Sequence, residues 1–157
     1  MKKYGRWALL FLTLGWCGVI FSFSLASGTA SEATSGTVTQ MLNGFLSALG
    51  SPVVLGGHFV RKLAHFTEYF VLGVTATATL WGFLGGKGLF LIPLPPFLTA
   101  LTDEQIIQRR VPGRGPSFLD VALDTAGGVT GALAFLGIFL LFWHIRREKT
   151  EKMRKTS

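Results

Sequence analysis

Four apolar stretches separated by short polar links are the feature that most limits how this chain folds. They cover residues 7–25, 59–84, 89–108 and 118–143. A helix needs about 20 predominantly apolar residues to cross a bilayer core of about 30 Å. Only 15% of the 157 residues are charged, whereas a soluble domain carries about 25%. The pattern predicts an all-α polytopic membrane protein, with residues 1–157 forming a single four-transmembrane-helix bundle.

Basic residues at both ends of the chain indicate how the bundle is oriented. Lys2, Lys3 and Arg6 precede the first stretch. The basic residues of the other end are Arg146, Arg147, Lys149, Lys152, Arg154 and Lys155. Because Lys and Arg gather on the cytoplasmic side of a membrane, we expect both termini in the cytoplasm and residues 144–157 to form a basic cytoplasmic tail. The net charge of +7 therefore indicates a multi-pass protein of the cytoplasmic membrane and not a nucleic-acid-binding protein.

The first stretch has a second interpretation. Small residues follow it at positions 26–30, as at the cleavage site of a secretory signal peptide. We favour a retained signal anchor, which puts the residues after it outside the cell.

Two of the stretches are too short to cross unless they carry ionisable residues with them. Uninterrupted apolar character is limited to residues 69–84 and 89–101, which span about 24 Å and 20 Å at 1.5 Å per residue. Crossing therefore draws His65 and Glu68, and likewise Asp103 and Glu104, into the membrane. Such groups cost about 2.5–3.5 kcal/mol each at the midplane, so we expect them to face one another inside the bundle.

Three local patterns add detail to this bundle. Residues 38–49 alternate apolar and polar positions at helical spacing and predict an extracytoplasmic amphipathic helix, too short to cross, that lies in the interface or caps the bundle. Pro93, Pro95 and Pro96 are expected to break or kink the third helix. Gly127 and Gly131 form a GxxxG motif that lets a neighbouring helix approach closely.

Ionisable and polar residues define a candidate site. On each of the last three stretches some of them recur at three- or four-residue spacing and therefore share a helix face. Counted from a cytoplasmic N-terminus, all of them fall on the extracytoplasmic side. The candidate ligand-binding residues are Arg61, Lys62, His65, Glu68, Tyr69, Asp103, Glu104, Gln108, Arg114, Asp120 and Asp124.

Three motifs in this region resemble a known family. Residues 61–73 read RKLAHFTEYFVLG, residues 102–108 read TDEQIIQ, and residues 112–131 read PGRGPSFLDVALDTAGGVTG. In this order and spacing they resemble the VanZ-like family, named for a membrane protein associated with low-level teicoplanin resistance. The resemblance implies a cell-envelope membrane protein related to glycopeptide resistance, but it supplies no biochemical activity. The matching positions are Lys62, His65, Glu68, Tyr69, Asp103, Glu104, Gln108, Arg114, Asp120, Asp124 and Gly128.

The favoured function is a polar pocket in the outer leaflet. Arg61, Lys62 and Arg114 would bind the phosphate or carboxylate of an anionic envelope lipid or a lipid-linked cell-wall molecule, Arg in a bidentate manner. Membrane lipid is therefore the expected partner. The oligomeric state stays open, a homo-oligomer included.

Two alternatives remain beside this function. A membrane-embedded hydrolase or transferase acting on a lipid-linked substrate would use His65, Glu68, Asp120 and Asp124 as catalytic residues. A purely structural salt-bridge network is the other, because five basic residues of the middle region oppose five acidic ones. No cofactor or metal site is predicted, although a divalent cation on His65, Glu68 and Asp124 stays open.

Overall fold

The protein is built from helices. The computed structural model describes the backbone of residues 3–156 and the side chains of residues 4–148, a part of the chain without strands. The five main helices are α1 Lys3–Ser24, α2 Gly28–Ala48, α3 Gly57–Leu84, α4 Leu94–Thr102 and α5 Phe118–Thr156. The all-α prediction is confirmed. The side chains of Lys2, Lys3 and the basic residues from Lys149 onward, which carried part of the orientation argument, lie outside the described residues.

Three helical stretches are long and apolar enough to cross a membrane: Tyr4–Ser24, Gly57–Leu91 and Phe118–Glu148. They correspond to the first, second and fourth predicted crossings. Large apolar side chains point away from the bundle, among them Phe11 on α1 and Phe142 on α5, which are 69% and 62% exposed. Outward apolar surface of this extent is typical of a membrane protein.

The third predicted crossing is not one continuous helix. Residues 85–110, here called the return segment, consist of a 3₁₀ helix (Gly85–Leu91), α4, a π-helix (Asp103–Ile107) and a second 3₁₀ turn (Gln108–Arg110). Gly85, at φ 59°, ends α3, and Gly88 packs against the backbone of Leu80. The chain thus folds back along α3.

The prolines of the return segment act at the start of a helix. Helical structure is interrupted at Pro93, as expected, but Pro95 and Pro96 lie in the first turn of α4. Backbone N–H groups in a first turn have no acceptor within the helix, so proline loses nothing there. The predicted break therefore becomes the beginning of α4.

Helices α2 and α5 are longer than predicted. Although residues 28–37 are rich in Ser, Thr and Gly, α2 begins at Gly28, because the Ser27 hydroxyl accepts a hydrogen bond from the Ala30 N–H at 3.2 Å. The Thr34 and Thr37 hydroxyls donate to carbonyls one turn earlier. Helix α5 continues through the predicted tail to Thr156, for a length of about 58 Å.

Glycines bring α3 and α5 into backbone contact. A Cβ atom on Gly127 would overlap the carbonyl of Phe66, and one on Gly131 would overlap the carbonyl of Phe70. The predicted role of the GxxxG motif is confirmed. Close packing of these helices aligns the polar residues of their first turns at one end of the bundle. We call this end, formed by the C-terminus of α1, the N-termini of α3 and α5 and residues 103–117, the polar end.

Candidate functional site

A cavity of about 180 Å³ opens at the polar end, between α3, the last turns of the return segment and α5. Most of the candidate residues contribute to its wall. Those that line it are Arg61, Lys62, His65, Glu104, Gln108, Arg114, Asp120 and Asp124. The fold therefore gathers onto one cavity residues that lie up to 63 positions apart in the chain (124 − 61).

A π-helical turn arranges the acidic residues of the return segment. Asp103 and Glu104 are 0% and 1% exposed. The Gln108 side-chain amide donates to Oδ2 of Asp103 at 3.0 Å and to Oε1 of Glu104 at 2.5 Å. In an α-helix, residues five apart point in different directions; the Gln108 N–H, however, bonds the carbonyl of Asp103, which widens the turn and aligns them. The sequence predicted only the relation between Glu104 and Gln108.

Two serines connect these acids to the other helices. The Ser24 hydroxyl, at the end of α1, donates to Oδ2 of Asp103 at 2.8 Å. The Ser117 N–H, just before α5, donates to Oε2 of Glu104 at 3.1 Å. Neither serine was predicted as a site residue, because a lone hydroxyl near a helix end carries little signal in a sequence. The two hydrogen bonds fix the position of the return segment relative to α1 and α5.

His65 and Asp124 meet across the α3–α5 contact. His65 Nδ1 lies 3.7 Å from Oδ2 of Asp124, which is longer than a hydrogen bond. Asp124 is fully buried, and within the described part of the chain neither of its carboxylate oxygens has a hydrogen-bond donor. Ligand-type atoms of His65, Asp103 and Asp124 lie within 4.8 Å of one another. The open possibility of a cation had paired His65 and Asp124 with Glu68; in the fold, Asp103 is the third residue.

The cations on the cavity wall have different surroundings. Lys62 Nζ contacts Oδ1 of Asp120 at 2.5 Å, and both side chains are partly exposed. Arg114 donates from Nε to the Ala26 carbonyl at 3.0 Å and from Nη2 to the Phe23 carbonyl at 3.1 Å. Burial lowers the pKa of the Arg114 guanidinium, and the positive charge of Arg61 lowers this pKa further.

Among the described residues of the polar end, Arg61 and Arg114 form no ion pair with a carboxylate. The one ion pair there between a Lys or Arg and an acidic side chain is Lys62–Asp120. Arg109 and Arg110 are exposed and do not line the cavity. The five basic and five acidic groups of this region therefore do not neutralise one another pairwise, as a structural salt-bridge network requires.

The remaining candidates lie beside the cavity. Glu68 lines a second space of about 110 Å³, which adjoins the first through Arg61, His65 and Arg114. Tyr69 is fully buried and packs with Ile20 and Leu72 in the core. Its hydroxyl has no hydrogen-bond partner among the described residues.

Comparison with known proteins gives one match. A family model described as VanZ/LLP1 matches residues 9–143, which include all four apolar stretches in whole or in large part and every candidate residue. No curated protein and no solved structure matches the chain.

Proposed function

The chain belongs to the VanZ/LLP1 family, and from this premise we propose that it binds an anionic amphiphile in the cavity at its polar end. The ligand is an envelope lipid or a lipid-linked cell-wall molecule, held by the phosphate or carboxylate of its headgroup. Through this ligand the protein would act in the cell envelope and on susceptibility to glycopeptides such as teicoplanin.

The relation between Arg61 and Arg114 carries this proposal. Both guanidinium groups line both adjoining cavities, and the charge of one is felt by the other. Within the described residues neither has a carboxylate partner. Two guanidinium groups that share a cavity repel each other, and the acidic residues that oppose this repulsion at Arg114 form no ion pair with it. An anion between the two groups would relieve the repulsion, and arginine matches phosphate and carboxylate with parallel N–H donors.

Apolar residues around the cavity support a lipid as the source of that anion. On α3, Phe59 and Leu63 flank Arg61 and are 56% and 45% exposed. At the start of α5, Phe118 and Leu119 are 74% and 78% exposed. Since apolar side chains this exposed belong against acyl chains, the cavity opens at the depth where a lipid headgroup meets its hydrocarbon.

The membrane arrangement is part of the proposal. The return segment makes the third of four crossings, and α2 lies along the membrane surface. Both termini are cytoplasmic, and the polar end faces outward from the cytoplasmic membrane. Arg6 on α1 and Arg146 and Arg147 on α5 lie at the opposite end, as the positive-inside tendency requires.

Cysteine labelling in intact cells tests this arrangement. In a Cys17→Ser background, Gly115→Cys is expected to react with a membrane-impermeant maleimide, whereas Lys87→Cys reacts only after the membrane is permeabilised. The reverse pattern would contradict the orientation, and labelling of both positions in intact cells would contradict the number of crossings.

Lipid binding is tested on the protein purified in a neutral detergent. Native mass spectrometry with phosphatidylglycerol is expected to detect a bound lipid, and phosphatidylcholine is expected to bind less. Arg61→Ala should weaken binding about ten-fold or more, because a hydrogen bond to a charged group contributes about 1.5–3 kcal/mol. Arg109→Ala is the matched control, since it removes an exposed arginine outside the cavity. Equal binding by both variants would overturn the proposal, and competition by free phosphate would show whether the acyl chains contribute.

The contact between His65 and Asp124 favours a second candidate, a hydrolase or transferase acting on a lipid-linked substrate. An imidazole beside a buried carboxylate on a cavity wall has the composition of a general base and the residue that orients it. Phosphate release from a lipid phosphate that is lost in His65→Ala and retained in Arg109→Ala would support the enzyme. Absence of turnover with lipid phosphates that bind the protein would reject it.

A further inference from the structure

Three chain segments bring metal-ligand groups together at the inner wall of the cavity. His65 comes from α3, Asp103 from the π-helix and Asp124 from α5, and one ligand atom of each lies within 4.8 Å of the other two. These residues are 38 and 21 positions apart along the chain (103 − 65 and 124 − 103). Their proximity is therefore a product of the fold and does not arise from an acidic run in the sequence.

The carboxylates of this cluster have oxygens that the protein does not satisfy. Asp124 is 0% exposed, and neither of its oxygens has a donor in the described chain. Asp103 is also 0% exposed; its Oδ2 accepts two hydrogen bonds, whereas its Oδ1 accepts none from the described residues. Buried carboxylates are normally hydrogen-bonded, paired with a cation or bound to a metal.

A third unsatisfied group belongs to a residue outside the cluster. The hydroxyl of the fully buried Tyr69, one residue after Glu68 on α3, has no hydrogen-bond partner in the part of the chain the structure describes. Buried hydroxyls, imidazole nitrogens and carboxylate oxygens rarely remain unpaired together. Within the cluster itself, His65 Nδ1 and the free oxygens of Asp103 and Asp124 all lack hydrogen-bond partners among the described residues. These unpaired atoms point to a ligand that accepts electron pairs.

We propose that His65, Asp103 and Asp124 bind one divalent cation of the Mn²⁺ or Zn²⁺ type. One imidazole nitrogen and two carboxylates form a mixed set without a thiolate, which suits these ions. The two negative charges balance the charge of the ion. Two ligand atoms about 2.1 Å from a shared ion lie up to about 4.2 Å apart, so the His65–Asp124 separation of 3.7 Å fits directly.

Surrounding hydrogen bonds support this assignment. The Ser24 hydroxyl and the Gln108 amide, at 2.8 and 3.0 Å, hold Oδ2 of Asp103 and leave Oδ1 for the ion. Such outer hydrogen bonds orient metal ligands in proteins and influence metal affinity. Gln108 and Ser24 donate to Asp103 but leave its negative charge in place, as a residue that binds a cation requires.

The positive charges that face this site are those of Arg61 and Arg114, with Lys62 held by Asp120. His65 and Asp124 line the same cavity as these arginines, so an anion there could contact the ion and a guanidinium together. The anion binding proposed above does not require the ion, and the ion can bind without a lipid. Each proposal can therefore be tested and rejected without the other.

Metal titration of the purified, EDTA-stripped full-length protein tests the inference. We expect one equivalent of Mn²⁺ or Zn²⁺ to remain bound after gel filtration and the thermal midpoint to rise with metal concentration, because a ligand that binds only the folded state stabilises it. Asp124→Asn and Asp103→Asn should each weaken metal binding about ten-fold or more. Asp120→Asn, which removes the same charge one turn earlier on α5, should change the affinity less than about three-fold, the modest effect expected of a partly exposed charge that is not a ligand.

Every outcome of this titration has a consequence. No stoichiometric metal on the wild-type protein, or equal affinities in Asp124→Asn and Asp120→Asn, overturns the site. If one aspartate variant does not fold, the wild-type titration and His65→Ala decide. Lipid binding measured in EDTA separates the proposals, since its persistence without metal binding rejects only the cation, and metal binding without lipid binding rejects only the lipid pocket.

Discussion

Gln108 bonds Asp103 across a single π-helical turn, with 3.0 Å between the amide nitrogen and the carboxylate oxygen. Both side chains are almost completely buried, and the same amide also bonds Glu104. The neutral Gln108 side chain thus donates hydrogen bonds to two buried carboxylates at the polar end. Ser24 donates to the same Oδ2 of Asp103, and Ser117 donates to the other oxygen of Glu104. Oδ1 of Asp103 has no donor among the described residues and can accept a ligand.

Replacing Gln108 with Leu should destabilise the protein. The substitution leaves two buried carboxylates with one donor fewer each, so we expect the free energy of unfolding to fall by about 1–3 kcal/mol per acid. Thermal unfolding in detergent measures the loss. Gln105→Leu is the matched control, three residues earlier and only partly buried. Similar midpoints for the two variants would contradict the bridging role of Gln108.

Replacing Asp124 with Asn should stabilise the metal-free protein. The carboxylate is fully buried without a donor, whereas the amide of Asn can donate to the facing His65 nitrogen. We expect a gain of about 1 kcal/mol in the free energy of unfolding in EDTA, the typical net value of one hydrogen bond. A clear loss of stability in EDTA would show that Asp124 is needed by the fold itself.

Much of the fold follows from hydropathy and from the residues at helix ends. The three helical stretches long and apolar enough to cross a membrane were predicted to within seven residues at each end, because apolar runs of this length have few alternatives. The return segment was not predicted in detail, since its path depends on Gly85, on prolines that begin α4 and on contact with α3. Such packing contacts leave no periodic pattern in a sequence.

The residues that line the cavity at the polar end could be predicted as a set, but their arrangement could not. Ionisable residues within the apolar stretches were enough to single out His65, Glu104 and Asp124, which the fold brings to one cavity. The π-helix that aligns Asp103 with Gln108 has no sequence signature, and spacing alone favoured Glu68 as the third cation ligand. The even charge balance suggested ion pairs; only Lys62 and Asp120 pair within the described side chains of this region.

The contact between α3 and α5 should not tolerate added volume at Gly131. A methyl group there would meet the carbonyl of Phe70 and push the helices apart, so Gly131→Ala should cost about 1–3 kcal/mol of stability. Gly137→Ala makes the same change six residues later, where nothing lies within 4 Å. Both variants gain the same helix propensity, about 1 kcal/mol, so their difference isolates the contact. Unfolding midpoints that do not differ would mean that the helices separate without cost.

Arg114 and Arg61 should differ in what they contribute to the protein. Arg114 donates to the carbonyls of Phe23 and Ala26 and thereby ties the loop before α5 to the end of α1. We expect Arg114→Ala to lower the free energy of unfolding by about 1.5–3 kcal/mol, the range for hydrogen bonds to a charged group. Arg61→Ala should leave it within about 0.5 kcal/mol, as is usual for a side chain without such partners, while still weakening lipid binding. Denaturation and lipid binding measured on the same preparations check both. If Arg61→Ala were the more destabilising of the two substitutions, the charge of Arg61 would be required for folding. This result would contradict the proposal that an anion binds between the two arginines.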